Sequence, residues 1–224
     1  MDRNKRYFLD FLAGNGTKNV IFEPFLHRTH AETLIWRRGK HLWDTPEQVV
    51  DTLASLTERT RADCYFVDLR IYDDPGKRAV LAAGEAHRSA DPDLGFGVIC
   101  EAADIPLAEK AADVLAVFGR GCSDCCPVIR MDGTPEETTR DGCSGWFAPD
   151  RAEEYLERYG GKIRILGGLG VDRIVHGAPV DTYAETQRLA AKWGRQWACG
   201  SGGEIPAENY LELISLLGSF GRIR

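Results

Sequence analysis

The chain has 224 residues, 43% hydrophobic and 28% charged, with no shift in composition along its length, so one domain over residues 1–224 with one large core is expected. A formal net charge of −6 and a pI near 5.4 exclude general binding to nucleic acid or to an anionic membrane, both of which need summed positive charge. No apolar run approaches the roughly 18 residues of a membrane span, the opening MDRNKRYFLDFLAG is too polar for a secretory signal, and seven scattered cysteines fit reduced thiols, so a cytoplasmic protein is expected.

In chain order, Tyr7, Phe8, Phe11 and Leu12 make a short amphipathic helix before the turn-rich GNGTKN, read as a lid over one end of the fold. VIFEPF (20–25) is a first short strand, and the segment 26–44, with His27, His30, Arg28, Arg37 and Arg38, reads as a long binding loop. Thr45, Pro46 and Gln48 form a capping box for a helix reaching Thr60. ADCYFVDLR (62–70) is a buried strand with polar residues at its end, and a helix with Ala79, Val80, Ala82, Ala83 and Ala86 on one face follows.

The pattern then repeats. Strands are read at 94–100, 112–119, 126–133, 142–149, 162–168 and 195–200. The helices between them are 104–111, one capped by Thr134 and Glu137, one opened by Asp150 with Glu153, and Thr182–Trp193 capped by Thr182 and Glu185; a last helix starts at Pro206. The connections 119–126 and 133–142 are short enough for an outer helix to shrink to a turn. Eight strands, each followed by a helix-sized segment at about 28 residues per unit, predict a compact α/β fold, a single (β/α)8 TIM barrel. An open doubly wound sheet is the runner-up, but the first strand runs into FEPFLHRTH and not into a GxGxxG turn.

In a barrel the residues just past each strand share one mouth. Those residues include Glu23 and His27, Asp68 and Arg70, Cys100 and Glu101, Arg120, Arg130 and Asp132, Trp146, Gly167 and Gly168, Cys199, Ser201 and Glu204. Arginines there suit bidentate binding of carboxylates, and an aspartate at a strand end can accept several N–H donors or stabilise a cation; the alternative is that Asp68 simply pairs with Arg70 or Arg130. Cys100 with Cys122 and Cys125 of the GCSDCCP loop are weak candidates for a metal, since one Cys-x-x-Cys pair falls short of the three or four ligands zinc needs.

The stretches GGKIRILGGLG, HGAPVDTYAET and GSGGEIPAEN resemble the carboxyl-terminal third of the uroporphyrinogen decarboxylase superfamily, and AETLIWRRGKHLWDTPEQV and ADCYFVDLR extend a weaker likeness backward. The resemblance implies a (β/α)8 barrel and an enzyme that decarboxylates a tetrapyrrole or related polycarboxylate without a cofactor. It gives Asp68 the position of the pyrrole-binding aspartate that stabilises the cationic intermediate; Arg70, Arg120 and Arg130 are then expected to bind carboxylates, and the strand-end residues Glu23, His27, Gly167 and Gly168 are the further candidates for the substrate site. The alternatives are a corrinoid-dependent methyltransferase using zinc, with a corrinoid protein as partner, and a non-catalytic tetrapyrrole-binding barrel. A homodimer is the candidate assembly. The chain departs from the pattern in lacking the decarboxylases' Arg-Gln-Ala-Gly-Arg stretch and the methyltransferases' His-x-Cys pair, and in carrying Gly203 beside Glu204 at the last strand end.

Overall fold

A computed structural model describes residues 5–16, 22–23, 45, 47–48, 51–52, 55, 63–170, 172 and 176–200. Helix α1 (Lys5–Leu12) precedes β1 (Phe22–Glu23), β2 (Cys64–Asp68), α2 (Asp74–Ala90), β3 (Gly95–Glu101), α3 (Ile105–Ala108), β4 (Val114–Phe118) and β5 (Val128–Arg130). Then come α4 (Pro135–Asp141), β6 (Gly145–Ala148), α5 (Ala152–Tyr159), β7 (Arg164–Gly167), α6 (Pro179–Trp193) and β8 (Trp197–Ala198). All eight strands are parallel and lie in chain order, each paired with the next. That is the strand arrangement of a TIM-type fold. It is an open run of ladders, however: among the described residues no ladder joins β8 to β1, so closure of the barrel is not part of the observed sheet.

Alternation along the strands sorts side chains onto two faces. On the inner face Cys64, Phe66, Ile99, Val114, Ala116, Ile129, Phe147, Leu166 and Ala198 pack with Phe8, Phe11 and Leu12 of α1. The outer face carries Tyr65, Val67, Phe96, Val98, Leu115, Val117, Trp146 and Ile165 against helix residues Val80, Leu81, Ala83, Leu156 and Leu189. Strands buried on both faces explain the near-continuous apolar runs in the sequence. Helix α1 caps the amino ends of the strands: the Lys5 backbone N–H donates to the Asp93 carbonyl at 2.6 Å, and its ammonium lies 3.5 Å from Asp113, the residue just before β4. In folds of this type ligand sites lie at the opposite, carboxyl end of the strands.

Both capping boxes form reciprocally. The Thr45 N–H donates to Gln48 Oε1 and the Gln48 N–H to Thr45 Oγ1, and the Thr134/Glu137 pair does the same at the start of α4. The other two caps differ from expectation. Helix α5 starts at Ala152 behind Arg151, whose φ of 49° is left-handed, and Asp150 pairs with the Arg151 side chain without capping the helix. Helix α6 starts three residues before Thr182, which is buried inside it and accepts a hydrogen bond at its carbonyl from Thr186 Oγ1. Of the two short connections, 133–142 keeps its helix and 119–126 has none. No described helix is long and apolar enough to cross a membrane. The loop 26–44 and the helix from Pro206 lie outside the described residues.

Candidate functional site

Strand β2 alternates Cys64, Phe66 and Asp68 on the inner face, and Asp68 is the last of them. By the same count Glu101 ends β3 and Phe118 ends β4 on that face, so three strand ends meet at the carboxyl edge of the sheet. Just past β2 the chain turns through a 3-10 segment, Leu69–Ile71, which Asp68 caps: its Oδ1 accepts from the Arg70 backbone N–H at 3.0 Å. That turn throws the Arg70 side chain back over the strand end. Its Nε donates to Asp68 Oδ1 at 2.8 Å and its Nη2 to Asp68 Oδ2 at 2.6 Å, a bidentate fork, while the guanidinium carbon sits 3.7 Å from the centroid of the Phe118 ring.

The pair is mostly shielded, with 16% of the Asp68 side chain and 27% of the Arg70 side chain exposed. The hydrogen bond that Arg70 donates to Asp68 raises the pKa of Arg70, and the Glu101 carboxylate adds to the effect. A guanidinium has five N–H donors. Two are given to Asp68, and among the described residues the other three have no partner. The result is a cation at the carboxyl end of β2, held by a carboxylate on one edge and an aromatic ring on one face.

The other expected residues do not converge on this point. Arg130 ends β5 on the outer face, 3% exposed at its side chain, and its guanidinium is occupied by the Asp132 carbonyl and carboxylate and by Asp141 of α4. Arg120 is exposed in the loop after β4, 3.8 Å from Glu137. Gly167 and Gly168 have φ of 73° and 80°, which only glycine adopts without strain. Their space is taken by packing: a Cβ on Gly167 would lie 2.6 Å from Phe147 Cε2 and one on Gly168 would lie 2.8 Å from Ala152 Cα. The Gly167 carbonyl accepts from Trp197 Nε1 at 2.9 Å. The Glu23 side chain, His27, Ser201 and Glu204 lie outside the described residues. Phe118 was not singled out from the sequence; the signal is its place two residues beyond Ala116 on the inward register of β4.

Zinc, attached by resemblance to the methyltransferase alternative, does not fit the described donors. No group of three or more His, Cys, Asp or Glu side chains among the described residues is placed to hold a metal ion. Cys100 is fully buried on the outer face, where burial pushes its thiol up to about 12, away from the thiolate a metal needs. Cys122 and Cys125 are exposed, and the neighbour of the Cys122 sulfur is Cys143 at 3.7 Å. No step is assigned to zinc here.

No protein-family model and no curated protein matches the chain. Among solved structures it is similar to a methyltransferase from Methanosarcina mazei, with 13% identity and a TM-score of 0.69 over 97% of this chain and 98% of that one. At that identity the likeness is one of fold. It spans nearly the whole of both chains.

Proposed function

We propose that the sheet closes into a (β/α)8 barrel whose carboxyl-end mouth carries out methyl transfer, in preference to cofactor-free decarboxylation. The observation that carries this reading is the occupancy of Asp68. A decarboxylase of the kind expected from the sequence needs that carboxylate free to accept pyrrole N–H groups and to face a developing cation. Here both oxygens hold Arg70, and releasing them would strip a shielded guanidinium of its counter-charge. The full-length fold likeness to a methyltransferase supports the same direction.

Methyl transfer asks less of a carboxylate and more of orientation. Displacement at a methyl carbon needs the acceptor atom in line with the leaving group, and gripping an anionic tail far from the reacting atom is an efficient way to align it. Arg70 fits that task. Its plane is fixed by Phe118, its tilt by Asp68, and its other donors have no partner among the described residues, so a sulfonate or carboxylate can dock on them. The donor would be a methyl-corrinoid presented by a partner protein, and the acceptor a small thiol bearing an anionic group.

Purified protein mixed with methylcobalamin and such a thiol should release the demethylated corrinoid, followed by its absorbance change, at a rate above the protein-free control. Arg70→Ala should remove most of that excess. Release of carbon dioxide from uroporphyrinogen by the wild-type chain, with no demethylation of the corrinoid, would overturn the reading.

A further inference from the structure

The connection between β4 and β5 has no helix, and its cysteines are placed unequally. Gly121 lies on the outer face of the sheet, where a Cβ would come 2.9 Å from Ile105 Cδ1, 3.1 Å from the Ala102 Cβ and 3.4 Å from Val117 Cγ1. Ser123 Oγ hydrogen-bonds to the Glu109 carboxylate and accepts from the Cys125 N–H at 3.0 Å. The Cys126 thiol points at the carbonyls of Glu109 and Ala112, 3.5 and 3.4 Å away. The loop is thus pinned on both sides of Cys122. Cys122 itself is exposed, and its sulfur faces that of Cys143, which is 8% exposed and lies 21 residues on, between α4 and β6.

We infer that Cys122 and Cys143 form a modification site, a dithiol that hydroperoxides oxidise to an intramolecular disulfide. Two thiols 3.7 Å apart need only a small approach to bond, and the division of labour follows from exposure. The accessible Cys122 sulfur attacks the peroxide oxygen, giving a sulfenic acid and releasing an alcohol or water. The Cys143 sulfur then attacks the Cys122 sulfur, its proton leaves with the hydroxyl as a second water, and the S–S bond forms. Burial and the neighbouring Cys122 push the Cys143 thiol up to about 12, so Cys143 is a poor first target and acts once Cys122 has been oxidised. The alternative pairing within the loop, Cys122 with Cys125, lacks this contact: the Cys125 N–H is tied to Ser123, and the Cys122 sulfur is directed to Cys143.

The bond would tie the loop to the start of β6 and enclose β5, α4 and the Arg130 ion pairs in one covalent ring. The test uses the full chain, reduced and then treated with a slight excess of hydrogen peroxide, with remaining thiols blocked by an alkylating agent. Free thiols in denaturant should fall from the seven of the reduced chain to five. Trypsin followed by cleavage ahead of Asp124, which separates Cys122 from Cys125 and Cys126, should yield a Cys122–Cys143 crosslink that a reductant dissolves. Oxidised protein should melt about 5 °C higher than reduced protein. Cys125→Ser, which starts from one thiol fewer, should still lose two thiols and keep the crosslink and the shift, and Cys122→Ser, a surface change that leaves the fold intact, should abolish both crosslink and shift. A crosslink joining Cys122 to Cys125, or seven thiols remaining after treatment, would overturn the inference.

Discussion

The carboxylate of Asp68 and the guanidinium of Arg70 are locked edge to edge, with both oxygens of the acid engaged and the ring of Phe118 lying under the base. Two residues apart in sequence, they meet because the chain makes a 3-10 turn immediately after β2. Under the proposed function Asp68 acts through Arg70, and its substitution should mimic partial loss of the arginine. Asp68→Asn should weaken binding of a sulfonate- or carboxylate-bearing thiol roughly tenfold, and Arg70→Ala by at least as much. The double variant should lose less than the product of the two, a coupling that titration calorimetry on the four proteins would measure. Because the pair is only partly buried, the stability cost of Asp68→Asn should be about 1 kcal/mol. Independent, multiplicative losses would contradict the coupling.

Gly84 lies in the middle of α2 with Phe96 of β3 directly against it. Propensity alone says that Gly84→Ala should stabilise the helix by about 1 kcal/mol. Packing says otherwise, since the added Cβ would sit 2.7 Å from Phe96 Cδ1, and Phe96 is fully buried and has nowhere to retreat. Overpacking should win, with a net loss of about 1–3 kcal/mol in chemical denaturation. Adding Phe96→Leu should recover part of that loss by making room, whereas two simple additive losses would show that the contact is not the cause.

The α/β repeat was readable because its signals are local. Strands buried on both faces leave uninterrupted apolar runs such as VLAVF and CYFVD, and helix starts leave Thr-Pro-x-Glu or Thr-Pro-x-Gln signatures that the structure honours at Thr134 and Thr45. Closure of the sheet was not readable, because it depends on how two-residue strands at either edge meet. The site was legible only in part. Asp68 and Arg70 were picked out by their place at a strand end, but Arg130 has the same sequence credentials and faces the helices, because strand alternation places it with Val128 and not with Ile129. A shift of one position in register decides between ligand and structural ion pair, and no local pattern reports it.

Asp113 couples three elements at the closed end. Its Oδ2 accepts from the Phe96 backbone N–H at 3.1 Å, and its Oδ1 faces Arg88 of α2 at 3.2 Å and Lys5 of α1 at 3.5 Å. Only 6% of its side chain is exposed. Asp113→Ala leaves a buried backbone donor unpaired beside two cations, and should cost about 2–3 kcal/mol in denaturant unfolding. Asp113→Asn keeps an acceptor for Phe96 and should cost about half that. Lys5→Ala, removing a partly solvated cation, should cost under about 1 kcal/mol. If Asn proved as damaging as Ala, the charge and not the hydrogen bond would dominate.

His87 gives the fold a pH dependence. It lies on α2, 3% exposed, with Nε2 making no hydrogen bond among the described residues. Burial lowers its pKa, and the carboxylates of Asp91 and Asp113 oppose the shift without reversing it. The imidazole is therefore neutral in the folded chain at pH values where the unfolded chain, with an ordinary value of about 6.5, already takes up a proton. In that window the unfolded state binds more protons than the folded one, so stability rises with pH and is lost as the pH falls below about 6.5 toward the lowered folded value. Melting temperatures taken from pH 7.5 down to 5.5 should fall progressively. His87→Gln, which cannot charge, should flatten that stretch of the profile even though it packs less well at neutral pH; an equally steep decline in the variant would assign the effect to other groups.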